Sequence, residues 1–244
     1  MRVLAVSLQL TPIAGAGPLY APKVAGDMPC VMILHGSEGP GSGWSHRFAA
    51  ILAAHGVAAL PFAYGTGDVW GAGTIHEVDI TAILDAARAL RATPGIATLD
   101  LFGWSRGGEL AMHLGAIGGG DLPFRRIAAH APADHCIPAF DVAEMRAGHP
   151  REAGQARAWV WPGNDVALTP GRAIDIQLFP RPVFLSVGTA DEVWDHQMTL
   201  NLAKRLDAAG NPPDLFVAEG QGHAFDFETE PQLWARLLAF FTRA

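Results

Sequence analysis

An apolar run that leads directly into a glycine-bracketed serine is the most constraining feature of the sequence. Residues 98–102 have the composition of a buried strand, Gly103-Trp104-Ser105-Arg106-Gly107 follows, and an apolar helical pattern begins immediately afterwards. A turn this sharp forces its central residue into a strained backbone conformation, and a side chain at position 103 or 107 would collide with neighbouring backbone. The pattern therefore predicts that Ser105 projects from the end of a strand at the N-terminus of a helix, where the helix dipole favours negative charge.

Short apolar runs alternate with longer amphipathic stretches along the rest of the chain. Residues 3–10 and 17–21 are predicted to pair as a hairpin, and further strands are predicted at residues 30–34, 57–60, 98–102, 127–129, 183–187 and 214–218. Helices are predicted where apolar positions recur with helical spacing, at residues 75–90, 198–209 and 231–241. This alternation indicates an α/β fold, with a mostly parallel central sheet of about eight strands flanked by helices on both faces.

Residues 131–180 interrupt this alternation. They contain six prolines and are predicted to form an excursion above the sheet, as a lid or a pocket wall. This excursion and the early hairpin fit a (β/α)₈ barrel badly, so the open sheet is favoured over that rival architecture. No linker divides the 244 residues, and we expect a single domain that spans residues 1–244.

Charge and cysteine content narrow the classes of partner. The net charge is −7 and no basic run is longer than Arg125-Arg126, so neither a nucleic acid nor an anionic membrane is expected to bind. No apolar stretch approaches the roughly 20 residues that a membrane span requires. The only cysteines, Cys30 and Cys136, do not suggest a disulfide framework, and we expect a protein of the reducing cytoplasm.

A serine hydroxyl becomes an effective nucleophile only when a base removes its proton, so Ser105 requires a histidine. Of the ten histidines, His223 lies in a glycine-bracketed loop between the last predicted strand and the last predicted helix. A base in such a loop can reach over the edge of the sheet. His223 is therefore predicted to be the base, and His130, at the end of another strand, is the alternative.

The histidine in turn needs an acid that orients its ring and stabilises its cation. Asp191 is the first acid after the seventh predicted strand and is predicted to fill this role. Asp195 is predicted to cap a helix, and Glu192 is predicted to be solvated. The order Ser105, Asp191, His223, with each residue after a strand, matches the Ser-Asp-His order of α/β-hydrolases.

Two backbone N–H groups are predicted to stabilise the oxyanion that forms during acyl transfer. One belongs to Arg106, which follows the serine, and the other to Ser37 in the glycine-rich loop after residues 30–34, with the N–H of Glu38 as the next candidate. The Arg106 side chain is expected either in a surface salt bridge or against an anionic group of the substrate. Four aromatic residues are expected either to line the substrate site or to pack structurally: Tyr64, Trp70, Trp104 and Trp194.

The glycine-rich loop at residues 35–43 raises the alternative of a nucleotide site. No G-x-G-x-x-G can be placed, and no lysine follows a glycine with the spacing of a P-loop. His130, Asp134, His135 and Cys136 lie close together in sequence, but they lack a recognised spacing of metal ligands. We therefore expect neither a cofactor nor a metal.

These segments together resemble the α/β-hydrolase superfamily and, within it, the dienelactone-hydrolase-like group. The chain looks most like the C-terminal catalytic domain of acyl-CoA thioesterases and of bile-acid-CoA amino acid N-acyltransferases, over about residues 20–240. The segments that carry the resemblance are His35-Gly36-Ser37, residues 60–64, 90–94, 103–110 and 182–194, and Gly222-His223. The resemblance implies an α/β-hydrolase domain with Ser105, Asp191 and His223 as its catalytic triad.

Two departures from these relatives bear on the activity. The acyltransferases and the dienelactone hydrolases usually carry a cysteine nucleophile where this chain has Ser105, and a serine favours transfer of the acyl group to water. Dienelactone hydrolases also place a glutamate in the first loop where this chain has Gly36. Both departures turn the expectation away from those two narrow activities.

We therefore expect a serine hydrolase that cleaves carboxylic esters of small acyl substrates through an acyl-enzyme, with no cofactor. The nearest alternative is an acyl-CoA thioesterase that uses the same residues. A dienelactone hydrolase is less favoured, and so is a peptidase of the prolyl-oligopeptidase type, because its substrate-filtering propeller is expected to be missing. A non-catalytic binding protein is disfavoured by the intact triad. The expected partner is a small ester or thioester, and a homodimer is left open.

Overall fold

An eight-stranded sheet organises the part of the chain that this computed structural model describes, namely residues 7–14, 16–23, 26–65, 74–141 and 156–243. Its strands are β1 (Leu8–Ile13), β2 (Gly17–Pro22), β3 (Met28–Leu34), β4 (Ala58–Phe62), β5 (Ile96–Trp104), β6 (Ile127–His130), β7 (Val183–Gly188) and β8 (Asp214–Ala218). They lie in the order β1-β2-β4-β3-β5-β6-β7-β8. β1 and β2 form an antiparallel hairpin, β2 is antiparallel to β4, and all further neighbours are parallel.

Five α-helices of the described residues cover both faces of the sheet. They are α1 (Trp44–Ala54), α2 (Ile80–Arg91), α3 (Arg106–Gly118), α4 (Gln197–Ala208) and α5 (Glu230–Thr242). Apolar residues of α1 and α5 form a buried cluster with Val31 and Ile33 of β3, and those of α2, α3 and α4 form a second cluster with Met32 and Leu34. Successive side chains of β3 thus enter two dry layers, which explains why the strand is apolar on both faces.

The architecture confirms the predicted α/β class and the mostly parallel sheet with helices on both faces. All eight predicted strands have a counterpart, and the two earliest pair as the predicted hairpin. Residues 1–6, which include the start of the first predicted strand, lie outside the described residues. Within the described ranges, no helix has the length and apolar character needed to cross a membrane.

Helix α2 begins later than the apolar spacing from residue 75 predicted. The helix starts at Ile80, because the Asp79 side chain accepts a hydrogen bond from the N–H of Thr81 at 2.8 Å and so caps the first turn. The residues before this cap form two short strand pairs instead: Thr74–Ile75 with Phe140–Asp141, and Val78–Asp79 with Trp159–Val160.

The described parts of the predicted excursion, residues 131–141 and 156–180, contribute to the core. Trp159, Leu168 and Ile176 have no exposed surface and belong to the buried cluster that also contains residues of α3. This segment therefore packs against the helix that follows Ser105. The remaining residues of the excursion, 142–155, lie outside the described part of the chain.

Two of the buried histidines lie at the ends of strands. His35, directly after β3, is 2% exposed, and His130, at the end of β6, is fully buried. Burial lowers the pKa of each imidazole from its ordinary 6.5 to about 4, because the dry interior disfavours the cation. Both rings are therefore neutral at pH 7, whereas in the unfolded chain they bind protons as the pH falls through 6.5.

We expect the free energy of unfolding to decrease as the pH is lowered from about 6.5 towards 4, because the unfolded chain then binds protons that His35 and His130 do not bind in the folded state. Each ring contributes up to about 1.4 kcal/mol per pH unit in this window. Above pH 6.5 the contribution of both rings is complete and constant.

Urea unfolding at pH values of about 7.5, 6 and 5 measures this slope. His130→Gln should give a shallower slope than the wild type, since one of the two rings is removed. The control is His55→Gln, whose ring is on the surface. Equal slopes in His130→Gln and the wild type would contradict the assignment of a depressed pKa to His130.

Candidate functional site

Ser105 occupies a strained turn between β5 and α3. Its φ is 55° and its ψ is −118°, a backbone conformation that residues with a side chain rarely adopt. A methyl group on Gly103 would overlap the carbonyl of Gly107, and a methyl group on Gly107 would overlap the carbonyl of Leu34 at the end of β3. The strain and the steric requirement for both glycines are therefore present as predicted.

Hydrogen bonds hold the backbone of Ser105 on both sides. Its N–H donates to the carbonyl of His130 at 2.9 Å, and its carbonyl accepts from the N–H of Glu109 in α3 at 2.9 Å. The Ser105 side chain does not cap the helix that follows it. The turn thus fixes the serine without using its hydroxyl in the local structure.

His223 and Asp191 are brought together by the loops after β8 and β7. The Nδ1 atom of His223 lies 2.8 Å from Oδ2 of Asp191, and the other carboxylate oxygen accepts from the N–H groups of Val193 and Trp194 at 2.8 and 2.9 Å. Burial opposes ionisation of Asp191, but the bonds from His223 and from the two N–H groups hold its pKa below the ordinary value. An ionised Asp191 makes Nδ1 of His223 the donor and leaves Nε2 as the basic nitrogen of the ring.

Two further side chains hold the backbone of His223. A carboxylate oxygen of Glu192 accepts from the N–H of His223 at 3.1 Å; Glu192 is exposed to solvent, as predicted, and this bond is an additional contact. The Nε2 atom of His130 lies 2.9 Å from the carbonyl oxygen of His223. Asp195 accepts from the N–H of Gln197, the first residue of α4, at 2.9 Å, in agreement with its predicted role as a cap.

The first loop, after β3, lies against the turn at residues 103–107, which we call the elbow. A methyl group built on Gly36 would be 3.2 Å from Cβ of Ser105, which places this backbone beside the serine. The N–H of Gly36 donates to the carboxylate of Glu38 at 2.9 Å, and the hydroxyl of Tyr64 donates to the carbonyl of His35 at 2.5 Å. One peptide unit is thus held from both ends by side chains.

The two predicted oxyanion donors lie on this loop and on α3. Ser37 follows Gly36 in the loop, and Arg106 is the first residue of α3, where main-chain N–H groups point out of the helix end. The Arg106 guanidinium is 2% exposed and lies 2.8 Å from Glu109, so it forms a buried ion pair. This corrects both predictions for the Arg106 side chain, the surface salt bridge and the contact with an anionic substrate.

The predicted lining aromatics occupy different places. Tyr64 stacks on His35 with ring centroids 3.9 Å apart, and Trp194 lies edge-on to His223 at 6.1 Å. Trp104 stacks on His130 at 4.1 Å and belongs to the buried cluster on the α1 and α5 face. Trp70 lies outside the described residues. Tyr64 and Trp194 are therefore next to the site, whereas Trp104 packs beneath it.

Glu109, His113 and Cys136 form a buried group whose ligand atoms lie within 4.8 Å of one another, as a metal site would require. The carboxylate of Glu109, however, already accepts from the N–H of Ile137 at 2.9 Å and from the indole of Trp159 at 3.0 Å, and it pairs with the Arg106 guanidinium. Burial raises the pKa of the Cys136 thiol to about 12, and a protonated thiol is a poor ligand. Because the carboxylate of Glu109 is already engaged in this way, these residues fit a buried ionic network better than a cation site.

Sequence reasoning named two residues of the site for other roles and missed the contacts of their side chains. Glu38 is buried beside the serine, and burial raises the pKa of its carboxyl even though the N–H of Gly36 donates to it. A single acid within a glycine-rich loop was the available signal. His130 was recognised only as an alternative base, because its contacts with Ser105 and His223 join residues far apart in the chain.

Comparisons with known proteins identify a family and a fold. The model of the prolyl oligopeptidase family matches residues 69–244. No curated protein sequence matches the chain. A structure from Klebsiella pneumoniae, described as a proposed dienelactone hydrolase, superposes with a TM-score of 0.71 at 18% identity, over 99% of this chain and 100% of that one.

Two further structures belong to enzymes with different described activities and share the fold. A puromycin-hydrolysing peptidase from Mycobacterium tuberculosis has a TM-score of 0.67 at 20% identity, over 97% of this chain and 39% of that one. A truncated carbohydrate esterase from gut microbiota has a TM-score of 0.59 at 16% identity, over 92% and 89% of the two chains. Identities this low show a shared fold alone. Because the family model spans well over half of the chain, the protein belongs to the prolyl oligopeptidase family and has the α/β-hydrolase fold.

Proposed function

We propose that this protein is a serine hydrolase that cleaves carboxylic esters of small acyl substrates through an acyl-enzyme. One arrangement carries the proposal. Asp191 is bonded to Nδ1 of His223, and the His223 loop and the strained elbow of Ser105 are anchored on the same residue, His130. The esterase and the proposed dienelactone hydrolase that share the fold support hydrolysis of an ester.

In the proposed reaction, Oγ of Ser105 attacks the acyl carbonyl while Nε2 of His223 removes the hydroxyl proton. The carbonyl π electrons move to oxygen and form a tetrahedral oxyanion. The intermediate collapses as the imidazolium of His223 gives its proton to the leaving alcohol, which leaves an acyl-serine. Water, activated by the same ring, then attacks the acyl-serine and releases the acid. Asp191 holds the ring in one tautomer and stabilises its cation throughout.

Backbone donors stabilise the charge that appears only in the transition state. In our proposal these are the N–H groups of Ser37 and Arg106, which come from the first loop and from the N-terminus of α3. Such preorganised donors contribute a factor on the order of 10²–10³ each. Tyr64 holds the peptide before Gly36 through its hydroxyl, so it supports the loop that carries one of these donors.

Amide hydrolysis is the second candidate function, and the family match favours it. A peptide substrate would be cleaved by the same three residues, since the acyl-enzyme chemistry is shared by esters and amides. An acyl-CoA thioester is the third candidate substrate, and it too would form the same acyl-serine. The leaving group therefore distinguishes these functions, and the identity of the nucleophile does not.

Ser105→Ala should lower kcat/KM for short p-nitrophenyl esters by a factor on the order of 10³ or more, because the acyl-enzyme can no longer form. A fluorophosphonate probe should label the wild type and not the variant. Ser7→Ala, at an exposed serine, is the control and should react as the wild type does. Full turnover by a folded Ser105→Ala protein would overturn the proposed nucleophile.

Asp191→Asn should lower kcat by a factor on the order of 10³–10⁴, since the amide no longer favours the tautomer with a basic Nε2. The matched control is Asp195→Asn. Both aspartates accept from an N–H two residues further along the chain, at 2.8 and 2.9 Å, but only Asp191 also bonds His223. Similar losses of kcat in the two variants would show that Asp191 affects kcat only by stabilising the turn in which it lies.

A matched set of unactivated substrates separates the leaving groups. Methyl butyrate, butyryl-CoA and N-methylbutyramide share one acyl group. Proton release reports turnover of the ester, free thiol reports that of the thioester, and released methylamine reports that of the amide. We expect kcat/KM to be highest for the ester, at least about tenfold above the thioester. The ratio of the two kcat/KM values measures how much better the site stabilises the transition state of the ester than that of the thioester. A preference for the thioester would identify a thioesterase, and a preference for the amide would identify a peptidase.

A further inference from the structure

His130 contacts both halves of the proposed machinery. It ends β6, which lies between β5 and β7 in the sheet. Its main-chain carbonyl accepts from the N–H of Ser105 at 2.9 Å, and its side-chain Nε2 lies 2.9 Å from the carbonyl of His223. A single buried residue therefore ties the nucleophile turn to the loop of the base.

The partners of His130 allow only one neutral tautomer. The carbonyl of His223 can only accept, so Nε2 of His130 must carry the hydrogen. In the neutral ring Nδ1 is then an acceptor, and the hydroxyl of Ser186, at 2.9 Å, donates to it. Both nitrogens are used in these bonds, so His130 has no nitrogen left with which to act as a base.

Aromatic residues at the end of β5 and in the loop of His223 hold the ring in place. Trp104, which precedes Ser105, stacks on the imidazole with centroids 4.1 Å apart and planes inclined by 25°. Phe225, which follows His223, meets the ring edge-on at 4.7 Å. The ring is fully buried, so water cannot replace the bond to His223 if that bond is lost.

We propose that His130 is a positioning residue, which sets the separation between Oγ of Ser105 and Nε2 of His223 by holding both backbones. This inference rests on the proposed function. Displacement of a catalytic group by about 1 Å can cost on the order of 10² in rate. Loss of the Nε2–H donor should therefore lower kcat, whereas KM should change little, because the residues proposed to contact the substrate are unaltered.

Three substitutions separate the effect of losing the Nε2–H donor from the effect of losing the ring. His130→Gln places an amide nitrogen near the position of Nε2, so it can still donate to His223. His130→Asn places its amide near the position of Nδ1, beside Ser186, and does not reach the His223 carbonyl. His130→Phe keeps a planar ring between Trp104 and Phe225 but has no donor. It is the second variant without a donor and tests the inference even if His130→Asn does not fold.

The measurements are kcat per active site titrated with a fluorophosphonate, KM, and hydrogen exchange of residues 219–226. We expect kcat to fall on the order of 10²-fold in His130→Asn and His130→Phe but to stay within about threefold in His130→Gln, with KM within about threefold in all three. Exchange of residues 219–226 should be about tenfold faster in the two variants without a donor. His46→Phe, a half-buried histidine bonded to Tyr20, is the control and should keep the wild-type kcat.

Three results would overturn the inference. Equal kcat per active site in all variants would show that His130 does not position the machinery. An equal loss in His130→Gln and His130→Phe would assign the effect to a cause other than the donor. Faster exchange of residues 219–226 with unchanged kcat would show that the loop can move without consequence for the reaction.

If the proposed function is wrong, the labelling and turnover measurements give a different result from those above. In that case the wild type would not react with the fluorophosphonate, and Ser105→Ala would keep its turnover. The exchange of residues 219–226 would still show whether the Nε2–H of His130 holds the loop, since this measurement does not require activity. Unchanged exchange in every His130 variant would overturn the inference on its own.

Discussion

At the turn between β5 and α3, the backbone of Gly107 packs directly against the carbonyl of Leu34, and Gly103 packs against Gly107 in the same way. This contact allows α3 to begin immediately after the strand and holds Ser105 at a positive φ. It also brings the end of β3 beside the turn, so the first loop lies next to the serine. The geometry of Ser105, the helix end and the first loop therefore depends on backbone contacts that only glycine permits.

Two histidines near the serine have opposite environments. His223 has one nitrogen on the ionised Asp191, and the proposed mechanism uses the other for proton transfer. His130 uses both nitrogens in bonds to neighbouring groups, and burial lowers its pKa to about 4. The local surroundings, and not the residue type, make one ring suitable as a base and the other suitable as a support.

Much of the fold could be predicted because buried parallel strands carry apolar side chains on both faces, and this composition is local. The placement of Ser105, Asp191 and His223 was also predictable, since each follows a strand and parallel strands end at one edge of the sheet. The start of α2 was predicted less well. Its preceding apolar residues have helical spacing, yet distant segments recruit them into short strand pairs.

The sequence by itself determined the succession of strands and helices along the chain, the glycines around Ser105, and the placement of Ser105, Asp191 and His223 after strands, because local sterics and spacing decide these features. Only the tertiary structure decided the partners of Arg106 and the bonds of His130. The Arg106 guanidinium is drawn into a buried pair with Glu109, and Glu109 also binds Trp159, 50 positions away. The His130 ring reaches the carbonyl of a residue 93 positions away. Such bonds satisfy buried polar groups wherever the fold brings them together, and no local pattern in the sequence records them.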